Sequence, residues 1–132
     1  MPKPTALVFD VFGTVVDWRG SVISAGDDLA QRLGLTIDWG RFATQWRREG
    51  YIRPIAEIFK GEREWVPVDG LLGDCLTELL DRYGLSDLAD TDRDELLMVW
   101  RRLTPWPDSV AGLARLKTRY LVGPLSNGGL RS

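Results

Sequence analysis

The chain has 132 residues, 44% hydrophobic and 27% charged, with a formal net charge of -2. That composition fits one globular domain with a modest core, and the lack of a dense basic patch argues against nucleic acid as a partner. Histidine is absent, so serine–histidine and cysteine–histidine triads and histidine-ligated metals are excluded within this chain, leaving carboxylates, hydroxyls, amides, arginines and lysines for chemistry.

The N-terminal "MPKPTA" is too short and polar for a signal peptide, and no apolar run approaches the roughly 18 residues of a membrane span. These features predict a cytoplasmic protein without a membrane partner. "ALVFDVFGTVVDW" follows. Its first part, Thr5 to Val11, is continuous and β-rich, as in a parallel strand covered on both faces. Phe12-Gly13-Thr14 breaks it. Val22, Ile23, Ala25, Leu29 and Leu33 then predict a helix from about Ser21 to Leu33, capped by Ser21 or Ser24 and ended by Gly34.

A second helix begins near Asp38, with Phe42, Trp46 and Tyr51 able to share a face, and Pro54 is expected to kink or end it. "GEREWVPVDG" is a loop. Leu71 to Tyr83 forms a third helix, containing the single cysteine, Cys75, as a small core residue. Asp92 to Leu103 forms a fourth. "TPWPDS" is a proline-punctuated turn, and Asp108 or Ser109 caps a short helix to about Lys117. "YLVGPLSNGG" closes the series as a second apolar strand ending in small polar residues.

Parallel strands need a crossover, which the helix before Tyr120 can supply. The earlier helices then become an insertion. The expected architecture is α/β: a Rossmann-like parallel-sheet core with an inserted helical cap. Residues 1–17 and 104–132 form the partial core, and residues 18–103 form the cap. Two strands do not make a stable parallel sheet, so this core is expected to be incomplete, with a homodimer or other self-association one way to complete it.

In open α/β sheets, ligands bind beyond the carboxyl ends of the strands. There this sequence has Asp10 after one strand and Ser126 and Asn127 after the other. An isolated aspartate at a strand end is often only a turn or helix-cap residue. Asp10, however, is flanked by Phe9, Val11 and Phe12. Gly13 allows a turn that presents bare N–H groups, and Thr14 can fix the loop by a side-chain hydrogen bond. A carboxylate held this way is a candidate nucleophile.

"FDVFGT" followed far downstream by "LSNG", each closing an apolar strand, resembles the haloacid dehalogenase superfamily. Within it the closest pattern is the L-2-haloacid dehalogenase (type II) branch. The resemblance implies that Asp10 is the nucleophile and Thr14 the hydroxyl that steadies it. It further implies that Ser126 helps bind the substrate carboxylate and that Asn127 faces the leaving halide. "QWRREGY" resembles the cap segment whose arginine reaches the active site, which aligns Arg47 with that arginine and leaves Arg48 as the adjacent alternative. Val11 and Phe12 are then expected at the substrate. Phe12, Trp18 and Trp46 either wall the pocket or are plain core.

The superfamily's phosphatases carry a second aspartate two residues after the nucleophile, because expelling an alkoxide needs a general acid. They also use magnesium to neutralise the phosphoryl group. Here Phe12 occupies that position. A halide leaves without a proton, so the resemblance implies hydrolysis of short 2-haloalkanoic acids with no metal and no cofactor. The family's third-motif lysine and later acids have no counterpart, since Lys117 precedes the second motif. An impaired or inactive truncated chain is therefore expected. The alternatives are a magnesium-dependent phosphatase of the same superfamily and a noncatalytic fragment that self-associates.

Overall fold

The computed structural model describes residues 1–128; residues 129–132 of the second core segment lie outside the described residues. Strand β1 (Ala6–Phe9) pairs in parallel with β4 (Leu121–Pro124), Ala6 opposite Leu121 and Phe9 opposite Pro124. Helix α6 (Ser109–Lys117) precedes β4 and packs on it, as a crossover should. The expected burial of the first strand on both faces is not found. Exposure alternates along β1, and Val8 is 62% exposed. Among the described residues β1 has β4 as its only neighbour, and one face of this pair is uncovered.

A second, antiparallel ribbon joins β2 (Val16–Asp17) to β3 (Thr104–Pro105). The segment expected to be only a turn thus begins with a strand pair. Helix α1 (Trp18–Leu33) starts directly from this ribbon. Its cap is Asp17, not Ser21 or Ser24: the Asp17 carboxylate accepts from the Gly20 N–H at 2.8 Å, as an N-cap residue does. Ser21 instead donates to the Asp17 carbonyl at 2.6 Å and accepts from the Thr104 N–H at 2.9 Å. One hydroxyl therefore ties the outgoing and returning connections together.

Helix α2 (Trp39–Arg47) is capped by Asp38, which accepts from the Arg41 N–H at 2.9 Å. Pro54 does not end the helical run. A π-helical turn, Arg48–Ile52, leads straight into α3 (Arg53–Phe59), with Pro54 buried in its first turn. Proline lacks an N–H and clashes with the carbonyl four residues back. The wider turn, in which the Arg53 N–H bonds the Arg48 carbonyl, opens room for the ring. Gly50 lies in this turn against Cys75; an added Cβ there would sit 2.9 Å from the Cys75 Cβ.

Helix α4 (Val68–Arg82) follows Pro67 and begins three residues before the periodicity indicated. Helix α5 (Asp90–Leu97) carries Asp90 and Asp92 in its first turn, where the helix dipole favours them. It tightens into a 3₁₀ turn, Met98–Arg101, instead of continuing to Leu103. The main core lies among these helices: Val22 of α1, Phe42 and Trp46 of α2, Leu76 and Leu79 of α4 are fully buried. The Trp46 indole donates to the Leu72 carbonyl at 2.9 Å, which satisfies its one polar group. No helix among the described residues is long and apolar enough to cross a membrane.

Candidate functional site

Asp10 follows the last residue of β1, and Thr14 Oγ1 donates to its Oδ2 at 2.7 Å. The intervening loop is a tight knot. The Val11 carbonyl accepts from the N–H groups of Thr14, Val15 and Val16 at 3.2, 2.9 and 3.2 Å. The Gly13 N–H donates to the Val16 carbonyl at 2.9 Å. Gly13 has φ of +90°, a conformation that favours glycine. The expectation that this turn presents bare N–H groups is therefore corrected for Gly13 through Val16, whose donors are spent inside the loop. Val11 serves the knot through its carbonyl, and its side chain does not line the cavity described below.

The loop is also held from the returning chain. The Trp106 indole donates to the Gly13 carbonyl at 3.1 Å, and Ser109 Oγ to the Val15 carbonyl at 2.6 Å. Neither contact was anticipated, because pairing across more than ninety positions leaves no local pattern.

A cavity of about 290 Å³ opens beyond the strand ends, lined by Asp10, Phe12, Arg47, Tyr51, Leu125, Ser126 and Asn127. The β1–β4 pairing brings Asp10 beside Ser126 and Asn127, while α2 and the π-turn deliver Arg47 and Tyr51. Arg47 is caged: its guanidinium carbon lies 4.7, 5.0 and 5.8 Å from the ring centroids of Trp18, Tyr51 and Phe12, within cation–π range. Burial pulls its pKa below the ordinary arginine value, opposed by the neighbouring Tyr51 and Asp10. Its Nη1 is buried with no hydrogen-bond partner among the described residues. An unsatisfied charged donor is costly, on the order of 1–3 kcal/mol or more, unless a ligand completes it.

Arg48 points elsewhere. Its side chain is 56% exposed and pairs with Glu49 at 3.3 Å. Trp46 is core, not wall; Trp18 stands behind Arg47 and stacks on Trp100 with centroids 6.1 Å apart. Beside Leu125, Tyr51 is a lining residue that the sequence reading did not assign to the site. Its position four residues after Arg47 was the available signal. Ser126 Oγ accepts from the Gly128 N–H at 3.1 Å, which leaves its own proton to give. Burial raises the Tyr51 pKa, with Arg47 and Ser126 acting in the opposite direction. A larger groove of about 390 Å³ between α1 and α5 lacks comparable unpaired donors: Arg32 pairs with Asp92 at 2.7 Å and Arg102 with Glu95 at 2.9 Å. Among the described residues no cluster of three or more acidic or cysteine side chains is placed to hold a metal ion.

No family model matches the chain. Among curated proteins it is similar to "(S)-2-haloacid dehalogenase 4A" of Burkholderia cepacia, 28% identical over 127 residues, 93% of this chain and 50% of that protein. Among solved structures, a defluorinating L-2-haloacid dehalogenase is 42% identical with a TM-score of 0.86, covering 96% of this chain and 52% of that one. A second L-2-haloacid dehalogenase is 34% identical with a TM-score of 0.87, covering 97% and 54%. The chain thus spans about half the length of the relatives it matches. In sequence and fold the chain is similar to about half of an L-2-haloacid dehalogenase.

Proposed function

We propose that the chain carries the nucleophile and the anion-binding wall of a hydrolytic dehalogenase acting on short 2-haloalkanoic acids. The observation that carries this reading is the placement of Asp10 and the unpartnered, buried Nη1 of Arg47 around one cavity. Residues 1–17 and 104–132 are read as the core segments and 18–103 as the helical cap that closes over them. The protein is read as cytoplasmic.

In the first step an Asp10 carboxylate oxygen attacks the halogen-bearing carbon. The C–O bond forms as the carbon–halogen bond breaks, and the halide leaves with the bonding pair. Thr14 holds the other carboxylate oxygen and so orients the attack. Arg47, Asn127 and the edge of Phe12 receive the halide, and Ser126 the substrate carboxylate. In the second step water adds to the Asp10 ester carbonyl and the acyl–oxygen bond breaks; one water proton goes to the departing 2-hydroxy oxygen and the other to solvent, releasing the 2-hydroxy acid and restoring the Asp10 carboxylate. Phe12 contributes no proton, and halide departure requires none.

The second step needs a base for the water. Apart from the nucleophile itself, the described lining residues include no acid and no lysine. We therefore read turnover by this chain alone as impaired, with ester formation easier than its hydrolysis. Val8 and Leu121, 62% and 77% exposed on the paired strands, favour association with another polypeptide copy through the sheet. The direct test is halide release from 2-chloropropionate, with Asp10→Asn as control. Release abolished by that substitution supports the reading. Release at an undiminished rate overturns it.

A further inference from the structure

Tyr51 reaches the cavity from the π-turn, a feature that recurs at functional sites. Its ring packs against Arg47 and meets Phe12 edge-on, with centroids 5.5 Å apart. A phenylalanine would fill that volume equally well. The hydroxyl is what phenylalanine lacks, and it is placed on a residue only 7% exposed, where a polar group needs a partner. Across the cavity stands Ser126, whose hydroxyl oxygen already accepts from the Gly128 N–H on one of its two lone pairs. Two hydroxyl-bearing residues thus line one cavity that also holds a guanidinium, and either hydroxyl can turn its proton to a ligand there. A spherical halide needs no such pair. A carboxylate, with two oxygens and about four acceptor positions, does.

We propose that the Tyr51 hydroxyl is a second donor, beside Ser126, to the carboxylate of the bound acid. The proposal rests on the reading of this cavity as a 2-haloacid site and adds to it a residue that fixes the acid's orientation relative to Asp10. Tyr51 makes this contact in its neutral form, which burial preserves across the ordinary pH range.

The test uses the chain with propionate, which has the carboxylate but no halogen, and separately with sodium bromide, each followed by tryptophan fluorescence. Tyr51→Phe is expected to weaken propionate binding about tenfold, as loss of a hydrogen bond to a charged group does, and bromide binding less than about twofold. In combination with Ser126→Ala the losses are expected to be non-additive, since both hydroxyls serve one ligand. A second measurement needs no substitution. Bound propionate, accepting from the phenol, raises the pH at which Tyr51 ionises by more than bound bromide does. Unchanged propionate affinity in Tyr51→Phe, an equal loss for bromide, or an ionisation shift no larger than with bromide overturns the role of Tyr51 alone. Failure of the unsubstituted chain to bind either anion overturns the reading of the cavity and the Tyr51 proposal with it.

Discussion

The guanidinium of Arg47 rests on the indole of Trp18, the first residue of α1, at 4.7 Å from carbon to ring centroid. Trp18 in turn stacks on Trp100, so an arginine from one helix is positioned by aromatic rings from two other segments. Such a seat suits a flat, delocalised cation and does not suit an ammonium. Arg47→Lys is therefore expected to lower kcat/KM for 2-haloacids by tenfold or more, about 1.4 kcal/mol of transition-state stabilisation, while moving the Tm little. Kinetics and thermal unfolding on the same preparation check both halves.

In the proposed reading, Phe12 is the residue that separates dehalogenation from phosphoryl transfer. Its ring packs edge-on to Tyr51 and to Trp100, at 5.5 and 6.3 Å. Phe12→Asp is expected to destabilise the fold by roughly 2–4 kcal/mol and to yield no magnesium-dependent cleavage of aryl phosphates. Halide release by the unsubstituted protein is expected to be unaffected by a chelator. A urea titration and a phosphatase assay with and without magnesium test these outcomes.

The parts of this arrangement legible in the sequence were those with a local signature. An apolar run into Asp10, a glycine at the turn and a hydroxyl at Thr14 belong to one short segment, and that segment forms the knot that presents Asp10. The parallel pairing of the two strands was legible because both are apolar and both end in polar residues. Tyr51 and the passage of the helix through Pro54 share one cause that was not legible: a π-turn has no compositional marker, and proline ordinarily argues for a break. Trp106 and Ser109 bind the Asp10 loop across a long stretch of chain, a relationship no window of sequence contains. The bare N–H groups expected of Gly13 failed for a physical reason. The Val16 carbonyl takes the Gly13 N–H, and the Val11 carbonyl takes the next three donors of the loop.

Glycine positions separate packing from propensity. At Gly26 an added Cβ would meet the Trp39 ring at 2.2 Å, whereas at Gly112 in α6 nothing lies within 4 Å. Gly26→Ala is expected to cost roughly 1–3 kcal/mol through overpacking. Gly112→Ala is expected to gain about 0.5–1 kcal/mol from helix propensity. Denaturant midpoints with unchanged m-values check both.

Burial pushes the Cys75 thiol up to about 11. The folded chain therefore holds this proton more tightly than the unfolded chain, in which the thiol titrates near the ordinary value of about 8.5. Stability from this group is full below that value and is lost as pH rises through about 11. The fall in Tm across that alkaline window is expected to be smaller in Cys75→Ala than in the unsubstituted chain. Alkylation of the native thiol by iodoacetamide at mildly alkaline pH is expected to be slower than that of a free cysteine by roughly a hundredfold.

The central claim is that Asp10 itself becomes covalently esterified, and the intact mass of the protein after reaction with 2-bromopropionate tests it most directly. The account predicts one added 1-carboxyethyl group, mapped by fragmentation to Asp10 and absent in Asp10→Asn. It also predicts that the adduct accumulates in this chain, because its hydrolysis is the impaired step. An adduct that persists in Asp10→Asn, or halide release with no adduct at Asp10 at any time, would contradict it.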